Sequence, residues 1–197
     1  MGPSDPPAQP GCAACGHEHL VEFYETEEFL VASVADFVTA ALRNGDAAVV
    51  VATPEHRAAF DGALAGLSVD VEEAVLDGRY LVIDAAALLS SFMVAGAPDG
   101  ERFRAAVTPL LDRAGDDGRE VSVYGEMVAL LWAAGDVTST IALEDMWNEL
   151  AASRSFSLLC GYPISSFDVQ SRELFAHICR QHTGVRNAQR SPDPDLA

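Results

Sequence analysis

Short, uninterrupted apolar runs alternate along this chain with longer segments whose apolar residues recur every three or four positions. Runs of this length, rich in β-branched residues, are typical of strands that are buried on both faces of a parallel sheet. The helical segments between them supply the crossovers that parallel strands require. The alternation therefore predicts a three-layer α/β fold, in which helices flank a mostly parallel sheet. The four predicted strands are AAVVVA (47–52), YLVI (80–83), VSVY (121–124) and FSLLC (156–160).

The predicted helices begin and end at residues that favour helix termini. Thr53 can cap the helix after the first run because its hydroxyl accepts a backbone N–H, and Pro54 suits the first helical position. Asp84 can cap a later helix in the same way, and Gly45 ends the first helical stripe. The segment HLVEFY (19–24) fits either a short strand or the entry to a helix. The predicted helices cover 26–44, 84–93, 101–113, 126–133, 138–153 and 171–182, with a further one starting at 54.

The two ends of the chain differ in composition from its middle. Residues 1–16 contain four prolines and a CxxC motif, and residues 187–197 read NAQRSPDPDLA. Neither segment can bury enough apolar surface to offset the entropy lost on ordering. We therefore predict disordered segments at 1–16 and 187–197, on either side of one domain at 17–186.

The charge balance and the missing motifs exclude several classes of protein. Thirty acidic and twelve basic residues give a formal net charge of −18, so no basic surface is expected for nucleic acid or an anionic membrane. All twelve basic residues are Arg. Without Lys, a Walker A phosphate loop in its usual form and a lysine Schiff base are both excluded. GxSxG and GxGxxG are absent as well, and we expect no enzymatic activity.

Three observations predict a cytoplasmic protein with reduced thiols. No apolar run reaches the roughly 20 residues that a membrane-spanning helix needs. The N-terminus lacks the basic and apolar segments of a secretory signal. Four cysteines in 197 residues do not form a disulfide scaffold.

Glu126 is the first candidate for a catalytic or ligand-binding residue. Ligands of open α/β sheets bind beyond the carboxyl ends of the strands, and Glu126 directly follows the predicted strand VSVY. Its carboxylate could there hold a metal, activate water or bind a polar ligand. The alternative is that Glu126 only stabilises the N-terminus of the next helix through the helix dipole.

Two aromatic sets are further candidates, each with a structural alternative. His19, Phe23 and Tyr24 offer an imidazole and a phenol to a ligand, or they mark a core segment whose histidine is satisfied by a carbonyl. Trp132, Trp147 and Tyr162 could line a pocket, but aromatic residues more often fill the core. Core packing is favoured for Trp147, because it shares one helical stripe with three other apolar residues, Leu143, Met146 and Leu150.

The cysteines and histidines suggest a zinc site. Cys12 and Cys15 have the short CxxC spacing that zinc sites use, and Cys179 and His182 share one face of a predicted helix. These four would complete a Cys₃His tetrahedron if the chain ends meet, as chain ends often do. A redox-active dithiol and inert cysteines are the alternatives.

Seven motifs follow one another along the chain: HLVEFYE (19–25), VVVATPEHRAAF (49–60), GRYLVIDAAALLSSFM (78–93), VYGEMVALLWAAG (123–135), LEDMWNEL (143–150), CGYP (160–163) and ICRQHTGV (178–185). Together they resemble the MEDS family, the methanogen/methylotroph, dichloromethane-regulator sensory domain. The resemblance implies a prokaryotic signalling input module with a RecA/KaiC-like fold that lacks the phosphate loop. Relatives often occur beside histidine kinases, PAS domains or DNA-binding helices. The motif positions to which it points are His19, Phe23, Tyr24, Glu126, Cys160, Tyr162, Cys179 and His182.

We therefore expect a cytosolic sensory domain that binds a small molecule or a metal and signals through a protein partner, such as a kinase or a transcription-regulatory component. The expected ligand-binding residues are His19, Phe23, Tyr24, Glu126, Cys160 and Tyr162, and the expected metal ligands are Cys12, Cys15, Cys179 and His182. One alternative is a metal-dependent enzyme, which would need Glu126 and His19 to meet in one cleft. Another is an interaction protein stabilised by zinc.

Overall fold

The computed structural model describes residues 18–166 and 172–187, and this part of the chain contains eight strands and eight α-helices. The strands are β1 (His19–Tyr24), β2 (Ala47–Ala52), β3 (Tyr80–Asp84), β4 (Met93–Val94), β5 (Ala97–Pro98), β6 (Val121–Gly125), β7 (Ser157–Pro163) and β8 (Gly184–Asn187). The helices are α1 (Glu27–Arg43), α2 (Pro54–Gly66), α3 (Val71–Leu76), α4 (Ala85–Phe92), α5 (Gly100–Ala114), α6 (Met127–Ala133), α7 (Val137–Ala151) and α8 (Arg172–Gln181).

Six strands form one sheet in the order β3-β2-β6-β7-β1-β8, and every neighbouring pair is parallel. All six residues of β2 are buried, as its apolar run predicts for a strand covered on both faces. The short strands β4 and β5 form a separate antiparallel pair between α4 and α5. The prediction of a mostly parallel sheet flanked by helices is confirmed.

The helices cover both faces of the sheet and enclose two cores. On one face α1, α2 and α3 enclose an apolar core that includes Leu30 and Phe60. On the other face α4 to α8 pack over a larger core that includes Phe103 and Trp147. Trp147 is 2% exposed, which confirms its predicted core position.

Polar side chains fix the helix starts that follow the carboxyl ends of the strands. The side-chain oxygens of Thr26, Thr53 and Asp84 each accept the backbone N–H of the residue three positions later. Thr53 and Asp84 thus act as the caps that the sequence predicts. The caps place the first turns of α1, α2 and α4 beside the carboxyl edge of the sheet.

Several elements differ from the sequence prediction. The ambiguous segment 19–24 is strand β1, and it pairs with both β7 and β8. Strand β8 was not predicted, because its four residues GVRN carry no apolar run. Helix α3 and the β4–β5 pair were also missed, and α6 begins at Met127, one residue later than predicted. None of the helices in the described ranges is long and apolar enough to cross a membrane.

Candidate functional site

Glu126 stands at the carboxyl end of β6, but its side chain does not cap the helix that follows. The residue is only 4% exposed, and its carboxylate turns instead to the start of α2. There Oε1 accepts the backbone N–H of Thr53, and Oε2 lies 2.6 Å from Nδ1 of His56. The hydroxyl of Tyr124 donates to Oε2 at 3.3 Å. Glu126 therefore joins two strand–helix junctions at the edge of the sheet.

His56 links Glu126 to a second carboxylate, and we call Glu27, His56 and Glu126 the edge bridge. Nε2 of His56 lies 2.5 Å from Oε2 of Glu27, at the first turn of α1. The hydrogen bond with Glu126, together with the Glu27 contact and both charges, raises the pKa of His56 to about 9 against the opposing effect of burial. The imidazole is therefore protonated at neutral pH, between two carboxylates.

Tyr24 ends β1 on the same face of the sheet as the edge bridge. Burial, followed by the charges of Glu27 and Glu126, raises the pKa of its phenol, which therefore stays protonated. This edge of the sheet thus presents carboxylates and neutral phenols around a single bridging imidazolium.

A second polar group lies on the opposite face of the sheet, between β1, β7, α7 and α8. We call it the inner group, and its members are His19, Glu144, Cys160 and His182. Each side chain offers one nitrogen, oxygen or sulfur atom, and these atoms all lie within 4.8 Å of one another. All four residues are buried, with exposed fractions between 0% and 8%.

The distances within the inner group are those of atoms that face a common point. Nε2 of His19 is 3.3 Å from Oε2 of Glu144, and Nε2 of His182 is 3.5 Å from Oε1 of the same carboxylate. The sulfur of Cys160 lies 3.5 Å from Nε2 of His19 and 3.7 Å from Oε2 of Glu144. The four atoms therefore surround a small volume that has ring nitrogens, a sulfur and a carboxylate on its boundary.

Hydrogen bonds outside the inner group orient both imidazole rings. Nδ1 of His19 lies 2.8 Å from the side-chain oxygen of Asn148, whose amide nitrogen in turn donates to the backbone and side-chain carbonyls of Gln181. Nδ1 of His182 donates to the carbonyl of Ile178 at 2.7 Å. Both rings therefore turn Nε2 towards the centre of the group.

His182 has an unsatisfied atom. Burial lowers its pKa, so the ring is neutral at neutral pH, and its single N–H is the Nδ1 proton held by Ile178. Nε2 then carries a lone pair, is buried and has no hydrogen-bond partner. Buried polar atoms in native proteins nearly always have a partner, so such an orphan needs an explanation.

Glu144 is the charged member of the group. Burial on its own would raise its pKa, but the hydrogen bond with His19 and the 2.6 Å hydrogen bond from the hydroxyl of Tyr162 hold the pKa below its usual range. Burial, followed by the charge of Glu144, raises the pKa of the Cys160 thiol. The inner group therefore contains one carboxylate beside a neutral thiol.

The structure divides the predicted site residues between the two faces. His19, Cys160 and Tyr162 meet in or beside the inner group, and the ring of Phe23 lies 6.1 Å from that of Tyr162. Tyr24 and Glu126 lie on the other face. Glu126 and His19 thus share no cleft, and the structure does not provide the geometry that the enzyme alternative requires.

Two of the four predicted metal ligands lie in the described part of the chain. His182 belongs to the inner group, whereas Cys179 is half-buried on α8 and is not one of its four members. Cys12 and Cys15 lie outside the described residues, so the Cys₃His site remains a prediction.

Sequence reasoning missed Glu144 and His56. Glu144 lies on the apolar stripe of α7, four residues after Thr140 and three before Trp147, and all three side chains are buried. A carboxylate at a core position of an amphipathic helix was the signal that could have found it. His56 had a weaker signal, its place in the first turn of a helix that begins at the sheet edge.

Comparison with known proteins gives one family and one fold. The sequence profile of the MEDS family, described as the MEthanogen/methylotroph, DcmR Sensory domain, matches residues 18–183. No curated protein matches the chain. The fold is similar to the crystal structure of a KaiC-like protein from the hyperthermophilic archaeon Pyrococcus horikoshii OT3, with a TM-score of 0.56 and 13% identity over 86% of this chain and 71% of that chain. At this identity the likeness shows the fold alone.

Proposed function

The chain belongs to the MEDS family of sensory domains, and from that premise we propose that it binds a chemical signal and reports it to a protein partner without hydrolysing a nucleotide. The observation that supports the lack of nucleotide hydrolysis is the edge bridge of Glu27, His56 and Glu126. It occupies the edge of the sheet at which open α/β folds bind their ligands.

The edge bridge and its surroundings disfavour a triphosphate. Phosphates bind at helix N-termini, where free backbone N–H groups and the helix dipole attract anions. Here the first turns of α1 and α2 carry Glu27, Glu28 and Glu55, and the caps Thr26 and Thr53 already accept backbone N–H groups. A phosphate at this edge would meet carboxylates, and no Lys is present to offset them.

A sensor needs no catalytic residues. A signal shifts the protein between two conformations only if it binds one of them more tightly, and the resulting change is read by the partner. The formal net charge of −18 favours a partner with a basic surface. We propose a kinase or a transcription-regulatory component for this role, in the cytoplasm.

The test combines a nucleotide assay with a ligand screen on the full chain. We expect no phosphate release from MgATP and no thermal shift with MgATP, but a shift with at least one of zinc chloride and a panel of small hydrocarbons. Glu126→Gln is the matched control, because it keeps the shape of the side chain and removes the charge that holds His56. Phosphate release that falls in this variant would contradict the proposal, and so would the absence of any shift across the screen.

A further inference from the structure

We propose that the inner group, His19, Glu144, Cys160 and His182, binds a single divalent transition-metal ion of the zinc class. The inference rests on the geometry and chemistry of these side chains. It holds whether the metal is the signal or a permanent part of the domain, and it does not depend on the proposed sensory function.

The spacing of the donor atoms fits a tetrahedral ion. Zinc binds nitrogen and oxygen at about 2.0–2.2 Å and sulfur at about 2.3 Å, which separates the ligand atoms of a tetrahedron by about 3.3–3.8 Å. The distances among Nε2 of His19, Sγ of Cys160 and Oε2 of Glu144, from 3.3 Å to 3.7 Å, fall in this range. Nε2 of His182 lies 3.5 Å from the other oxygen of the same carboxylate. The group is therefore close to the arrangement that a bound ion requires.

The direction of the lone pairs is the second argument. Nε2 of His182 has no hydrogen-bond partner and faces Oε1 of Glu144. Nδ1 of the same ring is already held by the carbonyl of Ile178, so the unpartnered nitrogen and the carboxylate oxygen stand 3.5 Å apart in a buried site. A cation between them would bind both atoms.

The surroundings of the rings are those of metal ligands. Histidines that bind metals almost always donate their other N–H to a carbonyl or a carboxylate, which fixes the ring and its tautomer. Ile178 and Asn148 supply such acceptors to His182 and His19. The hydroxyl of Tyr162 in turn holds the carboxylate of Glu144.

The donor set selects the class of ion. Two imidazoles, a thiol and a carboxylate suit zinc, whereas calcium and magnesium prefer oxygen ligands alone. When the ion binds, the S–H bond of Cys160 breaks, a sulfur–metal bond forms and the proton leaves to solvent. The charges of the divalent ion, the thiolate and the carboxylate then sum to zero, which favours burial.

The site would fasten α8 and β8 to the rest of the sheet. Its ligands come from β1, α7, β7 and the residue that follows α8, two positions before β8. Thr183 already joins this region to β1 through hydrogen bonds with the backbone of His19. Metal binding should therefore slow amide exchange in α8 and β8 more than in β2 and β3.

Metal analysis of the full chain tests the inference. Protein purified without added metal, or stripped with a chelator and titrated with zinc chloride, should hold one equivalent of zinc. Glu144→Gln and His182→Gln should each weaken zinc binding at least tenfold. The double variant Cys12→Ser/Cys15→Ser and the single variant Cys179→Ser are the controls, and both should bind zinc as the wild type does.

Cobalt substitution keeps the test decisive if a variant is unstable. Co²⁺ in the wild-type site should give tetrahedral d–d bands and a thiolate-to-cobalt charge-transfer band. Cys160→Ser should lose the charge-transfer band, whereas Cys12→Ser/Cys15→Ser should retain it. The inference is overturned if the wild type binds neither ion, or if the double variant loses the metal while Cys160→Ser keeps the charge-transfer band. Zinc binding without any effect on a partner would support the metal site and contradict only the proposed sensory function.

Discussion

Replacing His56 should remove a pH-dependent part of the stability of this protein. The edge bridge raises the pKa of His56 from its ordinary 6.5 to about 9, chiefly through the hydrogen bond with Glu126. Because the raised value belongs to the folded state, protonation favours folding. The stabilisation is fully present below the unfolded-state pKa of 6.5 and is lost as the pH rises through about 9.

The size of the effect follows from the shift and the exposure of the partners. Each pKa unit corresponds to about 1.4 kcal/mol, so the full shift would give about 3 kcal/mol. The side chain of Glu27 is 65% exposed and that of His56 is 21% exposed, so solvent screens part of this interaction. We expect the bridge to contribute about 1–2 kcal/mol to the free energy of unfolding near pH 6 and almost nothing above pH 10.

Urea unfolding of the wild type and of His56→Gln at a series of pH values measures this contribution. The difference in unfolding free energy between the two proteins should shrink by about 1–2 kcal/mol between pH 6 and pH 10. Glu27→Gln is the matched control, because it removes the exposed carboxylate and leaves the contact with Glu126. It should lose less of the pH dependence than His56→Gln does. A difference that stays constant across this range would refute the assignment of an imidazolium to the bridge.

Three further substitutions test separate parts of the structure, each by urea unfolding. Tyr162→Phe removes the hydroxyl that donates to buried Glu144 and should lower the free energy of unfolding by about 1–3 kcal/mol. An unchanged urea midpoint would show that the carboxylate does not need this donor. Gly161→Ala places a Cβ 3.1 Å from the hydroxyl of Tyr124 and should lower the free energy of unfolding by about 1–3 kcal/mol, and a neutral result would mean that the Tyr124 ring shifts at little cost. Asp99→Ala removes the cap of α5 and should lower the free energy of unfolding by about 1 kcal/mol. Asp99→Asn should keep most of the stability that the cap provides, because the asparagine oxygen can accept the same backbone N–H.

The secondary structure could be predicted where a segment carries its own signal. The runs at β2, β3, β6 and β7 and the caps Thr53 and Asp84 follow from residue type and spacing. The missed elements have no apolar run and no long helical stripe. Strand β8 is held by its pairing with β1, and α3 is a helix of only six residues. Their conformation depends on neighbours that are distant in the sequence.

Part of the inner group was also visible in the sequence. His19, Cys160 and His182 stand in motifs that resemble the MEDS family, although the sequence assigned His182 to a different set of ligands. Glu144 was hidden among the apolar residues of α7, because a helical stripe predicts burial and not the chemistry of what is buried. Glu126 was placed at the edge of the sheet, but its partner His56 was not identified.

By itself, the sequence determined a parallel α/β layer structure, the starts of its main helices and the absence of a Walker A lysine. These properties depend on residues that are close together in the chain or on composition alone. Only the tertiary structure decided that β1 lies between β7 and β8, which brings residues 19, 144, 160 and 182 into one buried group. It also placed Glu126 on the other face, against His56. The physical reason is that strand order and register arise from packing between distant segments, and no local pattern of residues encodes which segments will meet.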